Sequence, residues 1–135
     1  MQTNGYINWV AGVKDFAWVS LSGITFATTN QKTLPLENRW SPYFGSYGTP
    51  TYSKSAGGMV TVEGLLRNPS TKPHGNLARL PAGSRPKKRL IFNLTNPAYS
   101  TRIDVQTNGL ITWVSGGKSH GWLSISGINF NVNSC

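Results

Sequence analysis

Apolar and polar residues alternate along much of the chain with the period of two that is typical of β-strands. Met59–Leu65 shows this most clearly, Arg89–Leu94 fits a buried strand with basic flanks, and Tyr52–Lys54 fits a short edge strand. Turn residues separate the runs at Gly57-Gly58, Asn68-Pro69, Pro81-Ala82-Gly83 and Asn96-Pro97. No long stretch has apolar residues at helical spacing. The pattern predicts an all-β protein, an antiparallel β-sandwich of jelly-roll type with short strands and essentially no helix.

A long internal repeat organises the chain. Gln2–Phe26 reads QTNGYINWVAGVKDFAWVSLSGITF, and Gln106–Phe130 reads QTNGLITWVSGGKSHGWLSISGINF. Aligned without a gap at an offset of 104 residues, the two segments are identical at 15 of 25 positions. That offset is a domain length rather than the period of a solenoid, so it indicates tandem domains of about a hundred residues.

Both repeat segments carry strand and turn signals. Asn108-Gly109, placed between two apolar runs, predicts a two-residue hairpin of type I′. Trp122–Phe130 alternates, with a bulge predicted at Gly127, and directs four apolar residues toward a core. These four are Leu123, Ile125, Ile128 and Phe130. We therefore expect the segment to be a three-stranded meander that closes a sheet.

The repeat also predicts domain boundaries. We expect residues 1–27 to be the trailing strands of a preceding copy of the module. The polar stretch 28–33 is then a linker, and residues 34–135 form one complete β-sandwich.

The charge balance points to the kind of partner. Thirteen Lys and Arg residues against four Asp and Glu give a net charge of +9 and a pI near 10.1. This excess indicates an anionic partner such as nucleic acid, a phosphorylated or uronic-acid glycan, or acidic lipid head groups, although a basic coat also serves solubility alone. Because there is no apolar run of about 18 residues, we expect no membrane insertion, and no secretory leader is visible.

The chemistry-bearing residues do not form the pattern of an enzyme. A glycosidase needs two carboxyl groups facing one bond, but Glu63 lies on the outward phase of a strand and Asp104 enters a hairpin. His74 and His120 have no nucleophile elbow, and with the single Cys135 they lack metal-ligand spacing. We therefore predict no catalytic residue, no metal and no cofactor.

Two groups of residues are candidates for binding. Aromatic residues in a Gly/Pro-rich stretch suit either sugar stacking or core packing, whereas the repeated tryptophans at 9/113 and 18/122 are better explained by packing. Basic residues gather between 72 and 89, where they form either an anion-binding loop or a solvated one. The candidate receptor-binding residues are Trp40, Tyr43, Tyr47, Lys72, His74, Arg79, Arg85 and Lys87.

Three stretches in this order resemble a module at the C-terminal end of tail-fibre, minor tail and receptor-binding proteins of tailed bacteriophages. They are Leu36–Trp40 with Tyr43, Tyr47 and Tyr52 following, Leu80–Pro86 leading into a strand, and Asn108–Ile111 followed by Trp122–Phe130. The resemblance runs from about Leu34 to the C-terminus. Arg39 departs from it, because a glycine is expected before the tryptophan.

The resemblance implies that residues 34–135 are a receptor-binding head in the distal tail of a virion. Such a head is commonly a homotrimer, and it attaches the virion to a host cell-surface glycan or a teichoic-acid-like polymer. Two alternatives stay open. One is a nucleic-acid-binding basic β-domain, which is less expected because no recognition motif is present. The other is a structural spacer that sets the length of a fibre.

Overall fold

The computed structural model describes residues 2, 4–10, 21, 24–43, 45–68, 75–96, 99–116 and 122–134, and of residues 95, 96 and 99 the backbone alone. Within these ranges the protein is all-β, with a single 3-10 turn at Gly45–Tyr47 and no α-helix. The described part holds no helix of the length and apolarity that a membrane crossing requires. The strands are β1 (Lys32–Thr33), β2 (Ser41–Pro42), β3 (Thr51–Lys54), β4 (Met59–Glu63), β5 (Leu65–Arg67), β6 (Gly75–Arg79), β7 (Leu90–Asn96), β8 (Tyr99–Val105), β9 (Leu110–Gly116), β10 (Trp122–Ser124) and β11 (Ile128–Asn131).

The strands form three antiparallel sheets. The first sheet has the order β1-β3-β4-β11, the second β10-β5-β2, and the third β6-β9-β8-β7. The prediction of an all-β protein is confirmed, and the architecture is consistent with a β-sandwich; the jelly-roll type stays a prediction. The pair Lys32 and Thr33, within the predicted linker, forms β1 and pairs with Tyr52 and Thr51 of β3.

One hydrophobic core lies between the sheets. Alternate residues fill it, so that Val60 and Val62 of β4 are fully buried while Met59 is exposed. Two tryptophans meet edge to face within it, the Trp40 and Trp113 ring centroids being 5.8 Å apart at 66°. The core consists of Leu34, Trp40, Val60, Val62, Leu66, Leu77, Ala78, Leu80, Ile103, Val105, Ile111, Trp113, Leu123, Ile125, Ile128 and Phe130.

The C-terminal repeat segment, Gln106–Phe130, contributes a strand to every sheet. It supplies β9 to the third sheet, β10 to the second and β11 to the first. The predicted meander within one sheet is therefore wrong, and Gly127 lies in the turn between two sheets rather than in a bulge within one strand. The predicted inward residues are confirmed, since Leu123, Ile125, Ile128 and Phe130 are at most 7% exposed.

The hairpin between β8 and β9 also differs from its prediction. Gly109 N donates to Gln106 O at 2.9 Å, and of the turn residues only Gly109 has a positive φ, of 89°. Type I′ requires two such residues, so the geometry is that of a type I turn followed by a glycine bulge. Glycine is needed there because an added Cβ would stand 2.3 Å from Leu80 O.

Two other strand predictions fail because edge positions depend on the tertiary fold. The strand predicted as buried, β7, lies at an edge of the third sheet, and Ile91 is 56% exposed. The strand predicted at an edge, β3, lies between β1 and β4.

Gly64 separates β4 from β5, where an added Cβ would come within 2.6 Å of Pro50.

A buried carboxylate holds two arginines on the outer face of the third sheet. Asp104 has no exposed surface; Arg89 Nε donates to its Oδ2 at 2.7 Å and Arg102 Nε to its Oδ1 at 2.8 Å. The hydrogen bonds from Arg102, with a further one from Arg89, hold the pKa of Asp104 below its usual value, against the opposing effect of burial. The cluster fixes the start of β7 to β8.

We expect Asp104→Asn to lower the free energy of unfolding by about 2–4 kcal/mol at pH 7, because it leaves two arginines facing a neutral amide. The folded pKa of Asp104 is depressed, so its stabilisation is complete above about pH 4 and is lost as the pH falls through the folded pKa. Urea unfolding between pH 2 and 7 measures both effects. Glu37→Gln, in a half-exposed pair with Arg79, is the control and should change little. Equal losses in the two variants would contradict this account.

Candidate functional site

A groove of about 340 Å³ opens between an edge strand of the first sheet and an edge strand of the third. Its apolar side chains come from β7, β11 and the loop before β7, and its rim carries two lysines and polar side chains. The lining residues are Pro86, Lys87, Lys88, Leu90, Ile91, Phe92, Asn129, Phe130, Asn131 and Ser134. The volume lies at the lower end of the range for small-molecule sites, roughly 300–1,000 Å³.

The loop that carries the two lysines is fixed at both ends. At its start Arg85 Nε donates to Leu80 O at 2.9 Å, while Leu80 N donates to Gly109 O at 2.8 Å. At its end Arg89 is bound to Asp104. Between these anchors Pro86 is buried and Lys87 and Lys88 are exposed. The two ammonium groups therefore extend from a loop whose backbone is held by the sheets.

The opposite wall of the groove is held by side-chain amides. Asn131 Nδ2 donates to Gly57 O at 3.2 Å, and Asn131 Oδ1 accepts from Asn133 N at 2.8 Å. Asn129 Nδ2 donates to Thr25 Oγ1 at 3.2 Å. Lys87 Nζ reaches across the groove to Asn133 O at 3.4 Å.

The positive charge at the groove is not neutralised by the described carboxylates. Glu37 pairs with Arg79, Asp104 pairs with Arg89 and Arg102, and Glu63 accepts hydrogen bonds from Gln31 and from Ala27 N. Neither lysine of the groove pairs with one of these three side chains. Lys87 and Lys88 thus place positive charge beside the apolar side chains of the groove.

The fold separates the basic residues that are close together in the sequence. Arg79 lies on β6, and β6 and β7 are the two opposite edges of the third sheet. Three strand spacings, about 14 Å, separate these two strands. Its guanidinium pairs with Glu37 at 2.9 Å. Arg85 is used to hold the loop. Of the basic candidates only Lys87 lines the groove; Lys72 and His74 lie outside the described residues.

The aromatic candidates lie elsewhere in the fold. Trp40 is 8% exposed and packs against Trp113, so its ring faces the core rather than solvent. Tyr43 and Tyr47 form an edge-to-face pair with centroids 5.9 Å apart, and Tyr47 is 63% exposed. The pair follows β2 in the second sheet and is a separate exposed aromatic surface.

Sequence reasoning missed most of the groove. Lys88 was part of the basic run, but Phe92, Asn129 and Asn131 belong to strands that are distant in the sequence. Their alternation with core residues was visible, yet nothing local shows that β7 and β11, which belong to different sheets, line one groove. Among the described residues, no group of three or more His, Cys, Asp or Glu could hold a metal ion.

Comparison with known proteins returns no match: no family model, no curated protein and no solved structure is significantly similar to this chain.

Arg39, which stands where the resemblance to phage tail modules leads us to expect a glycine, has an unusual backbone conformation. Asn38 and Arg39 both adopt left-handed backbone conformations, with φ of 54° and 65°. Asn38 is held there, since its Nδ2 donates to Asn76 O at 3.0 Å and its own carbonyl accepts from Asn68 Nδ2 at 2.9 Å. Glycine adopts such a φ without strain, whereas a side chain other than that of Asn or Asp costs about 1–2 kcal/mol.

We expect Arg39→Gly to raise the free energy of unfolding by about 0.5–1 kcal/mol, because relief of strain outweighs the greater freedom of glycine in the unfolded chain. Arg39→Ala is the matched control: it removes the same charge but keeps Cβ, and should give no gain. Urea denaturation of the three proteins measures the difference. If alanine stabilises as much as glycine, the left-handed backbone is not the source of the strain.

Proposed function

We propose that this chain is a receptor-binding module of a tailed-bacteriophage tail protein, and that it attaches the virion to an anionic polymer on the host surface. The observation that carries the proposal is the groove, where Lys87 and Lys88 stand without a described carboxylate partner beside apolar side chains. The ordered resemblance of Leu36–Trp40, Leu80–Pro86 and Trp122–Phe130 to phage tail modules supports the biological setting.

The groove suits a polymer of sugar or polyol units linked by phosphate, or a glycan with uronic acids. Lysine ammonium groups bind phosphate and carboxylate oxygens as compact point charges. Apolar side chains such as Phe92 and Leu90 can contact the C–H surfaces of the units between the charges. Because the site lies between two sheet edges, a long polymer can enter it side-on. The mechanism we propose is binding without bond cleavage.

The test compares two double charge reversals on the full chain. Lys87→Glu/Lys88→Glu changes the groove, and Lys32→Glu/Lys54→Glu makes the same change in charge on β1 and β3, which lie on the side of the first sheet away from β11. Binding to immobilised poly(glycerol phosphate) teichoic acid is measured in 0.15 M salt. Since each exposed contact contributes roughly 0.2–1 kcal/mol, and reversal adds repulsion, we expect the groove variant to lose about tenfold in affinity and the control less than threefold.

The outcomes separate the candidate functions. Equal losses in both variants would show that net charge alone attracts the polymer, and would contradict a site at the groove. Single-stranded DNA that competes better than teichoic acid would favour the nucleic-acid alternative. No binding by the wild type to teichoic acid, an acidic glycan or whole cells, with circular dichroism showing a folded protein, would favour the spacer. If binding to the polymer is lost only in Tyr43→Ala/Tyr47→Ala, the site lies at the aromatic pair.

We also propose that the module is a homotrimer, as the resemblance implies. Light scattering at micromolar concentration in 0.15 M salt should then give three times the 14.7 kDa of one chain. The exposed apolar side chains of the N-terminal repeat segment provide surface for association. A mass of one chain under these conditions would reject the trimer.

A further inference from the structure

The chain contains two repeat segments, and among their described residues only those of the C-terminal segment lie in the core. We call residues 34–105 the body, and the place that Gln106–Phe130 occupies on it the closing site. In the closing site Ile111, Trp113, Ile125, Ile128 and Phe130 are 0–7% exposed. Their counterparts in the N-terminal repeat segment are 45–57% exposed, namely Ile7, Trp9, Leu21, Ile24 and Phe26. Four of these five pairs are identical residues.

The turn at the start of the N-terminal repeat segment has the same backbone hydrogen bonds as the turn of its buried counterpart. Gly5 N donates to Gln2 O at 3.0 Å, and Gln2 N to Tyr6 O at 2.8 Å. The same two bonds in the other copy run from Gly109 N to Gln106 O at 2.9 Å and from Gln106 N to Leu110 O at 2.8 Å. The two glycines have φ of 86° and 89°. The same backbone hydrogen bonds are therefore present in a turn whose following side chains, Tyr6 and Ile7, are exposed.

The end of the N-terminal repeat segment lies beside the closing site. Asn129 Nδ2 donates to Thr25 Oγ1 at 3.2 Å, and these two residues are equivalent positions of the repeat, 104 apart. Ala27 N donates to the side chain of Glu63 on β4, the strand that pairs with β11. In β11, Phe130 pairs with Val60.

The chain is long enough for Phe26 to take the place of Phe130. From there to Lys32 in β1 the chain would cross three strand spacings, about 14 Å. The six residue steps span up to about 20 Å.

We propose that the closing site accepts either repeat segment of the same chain, so that the fold has two alternative closures with nearly the same core. The closure seen here is preferred for two reasons. Its first strand continues directly from β8 through a short hairpin. Beyond Phe130, Asn131 donates to Gly57 O, whereas the equivalent position in the other copy is Ala27, which has no side-chain donor.

A set of core substitutions in the full chain tests the exchange. Ile111→Asp disables the C-terminal segment, because it buries a charge in the closing site, and Ile7→Asp makes the same change at the exposed counterpart. We expect Ile7→Asp to keep the wild-type Tm. Ile111→Asp should lower the Tm by roughly 5–15 °C but keep a cooperative transition, because the N-terminal segment replaces the disabled one. The double variant should have no cooperative transition. If Ile111→Asp alone unfolds as completely as the double variant, the proposal is wrong.

A disulfide trap gives a second, independent readout. In the closure seen here Asn76 pairs with Thr112, so the alternative closure pairs Asn76 with Asn8. Asn8→Cys/Asn76→Cys is oxidised in a Cys135→Ser background, with and without Ile111→Asp, and Thr112→Cys/Asn76→Cys serves as the positive control. We expect Ile111→Asp to raise the intrachain 8–76 crosslink at least fivefold by peptide mass spectrometry. No increase would overturn the proposal. A crosslink found only between chains would also overturn it, because the occupant would then come from a second copy.

Discussion

The fold depends on the burial of the inward side chains of β9, β10 and β11, the three strands that Gln106–Phe130 contributes to the three described sheets. The second sheet has strands of only two or three residues, and isolated sheets of this size are not stable in water. β9, β10 and β11 bring Ile111, Trp113, Leu123, Ile125, Ile128 and Phe130 into one core, so the three sheets share a single buried cluster. Loss of this segment would expose the inner faces of all three sheets together.

The same segment shapes the candidate groove. Phe130 is both a core residue and part of the groove, and Asn129 and Asn131, on the other face of β11, build its wall. The opposite side is β7, whose start is held by the Arg89–Asp104 pair. All three described carboxylates are bound to arginines, to a glutamine side chain or to a backbone amide, so the excess positive charge is left on exposed lysines. The groove is thus built by two edge strands, β7 and β11, and by the loop before β7, which carries Lys87 and Lys88.

The two repeat segments show that an amphipathic β sequence does not by itself secure burial. Ile24 and Ile128 are the same residue at equivalent positions, yet one is 45% exposed and the other is fully buried. What differs is the partner: β11 pairs with β4, and the described N-terminal residues form no strand. The body offers one closing site, so a second segment of the same pattern stays outside it for as long as the first is in place.

By itself the sequence determined the all-β class, the turns that separate strands and the inward phase of Leu123, Ile125, Ile128 and Phe130, because alternation and turn chemistry are local properties. It did not determine which strands are edges, that β9, β10 and β11 enter three different sheets, or that Trp40 packs on Trp113, because these depend on contacts between distant residues. The candidate site divides in the same way. The basic run at Lys87 and Lys88 was visible in the sequence. The separation of Arg79 from this run and the wall built by β11 were decided by the arrangement of the strands. That arrangement brings residues about forty positions apart to one groove and places sequence neighbours on opposite edges of a sheet.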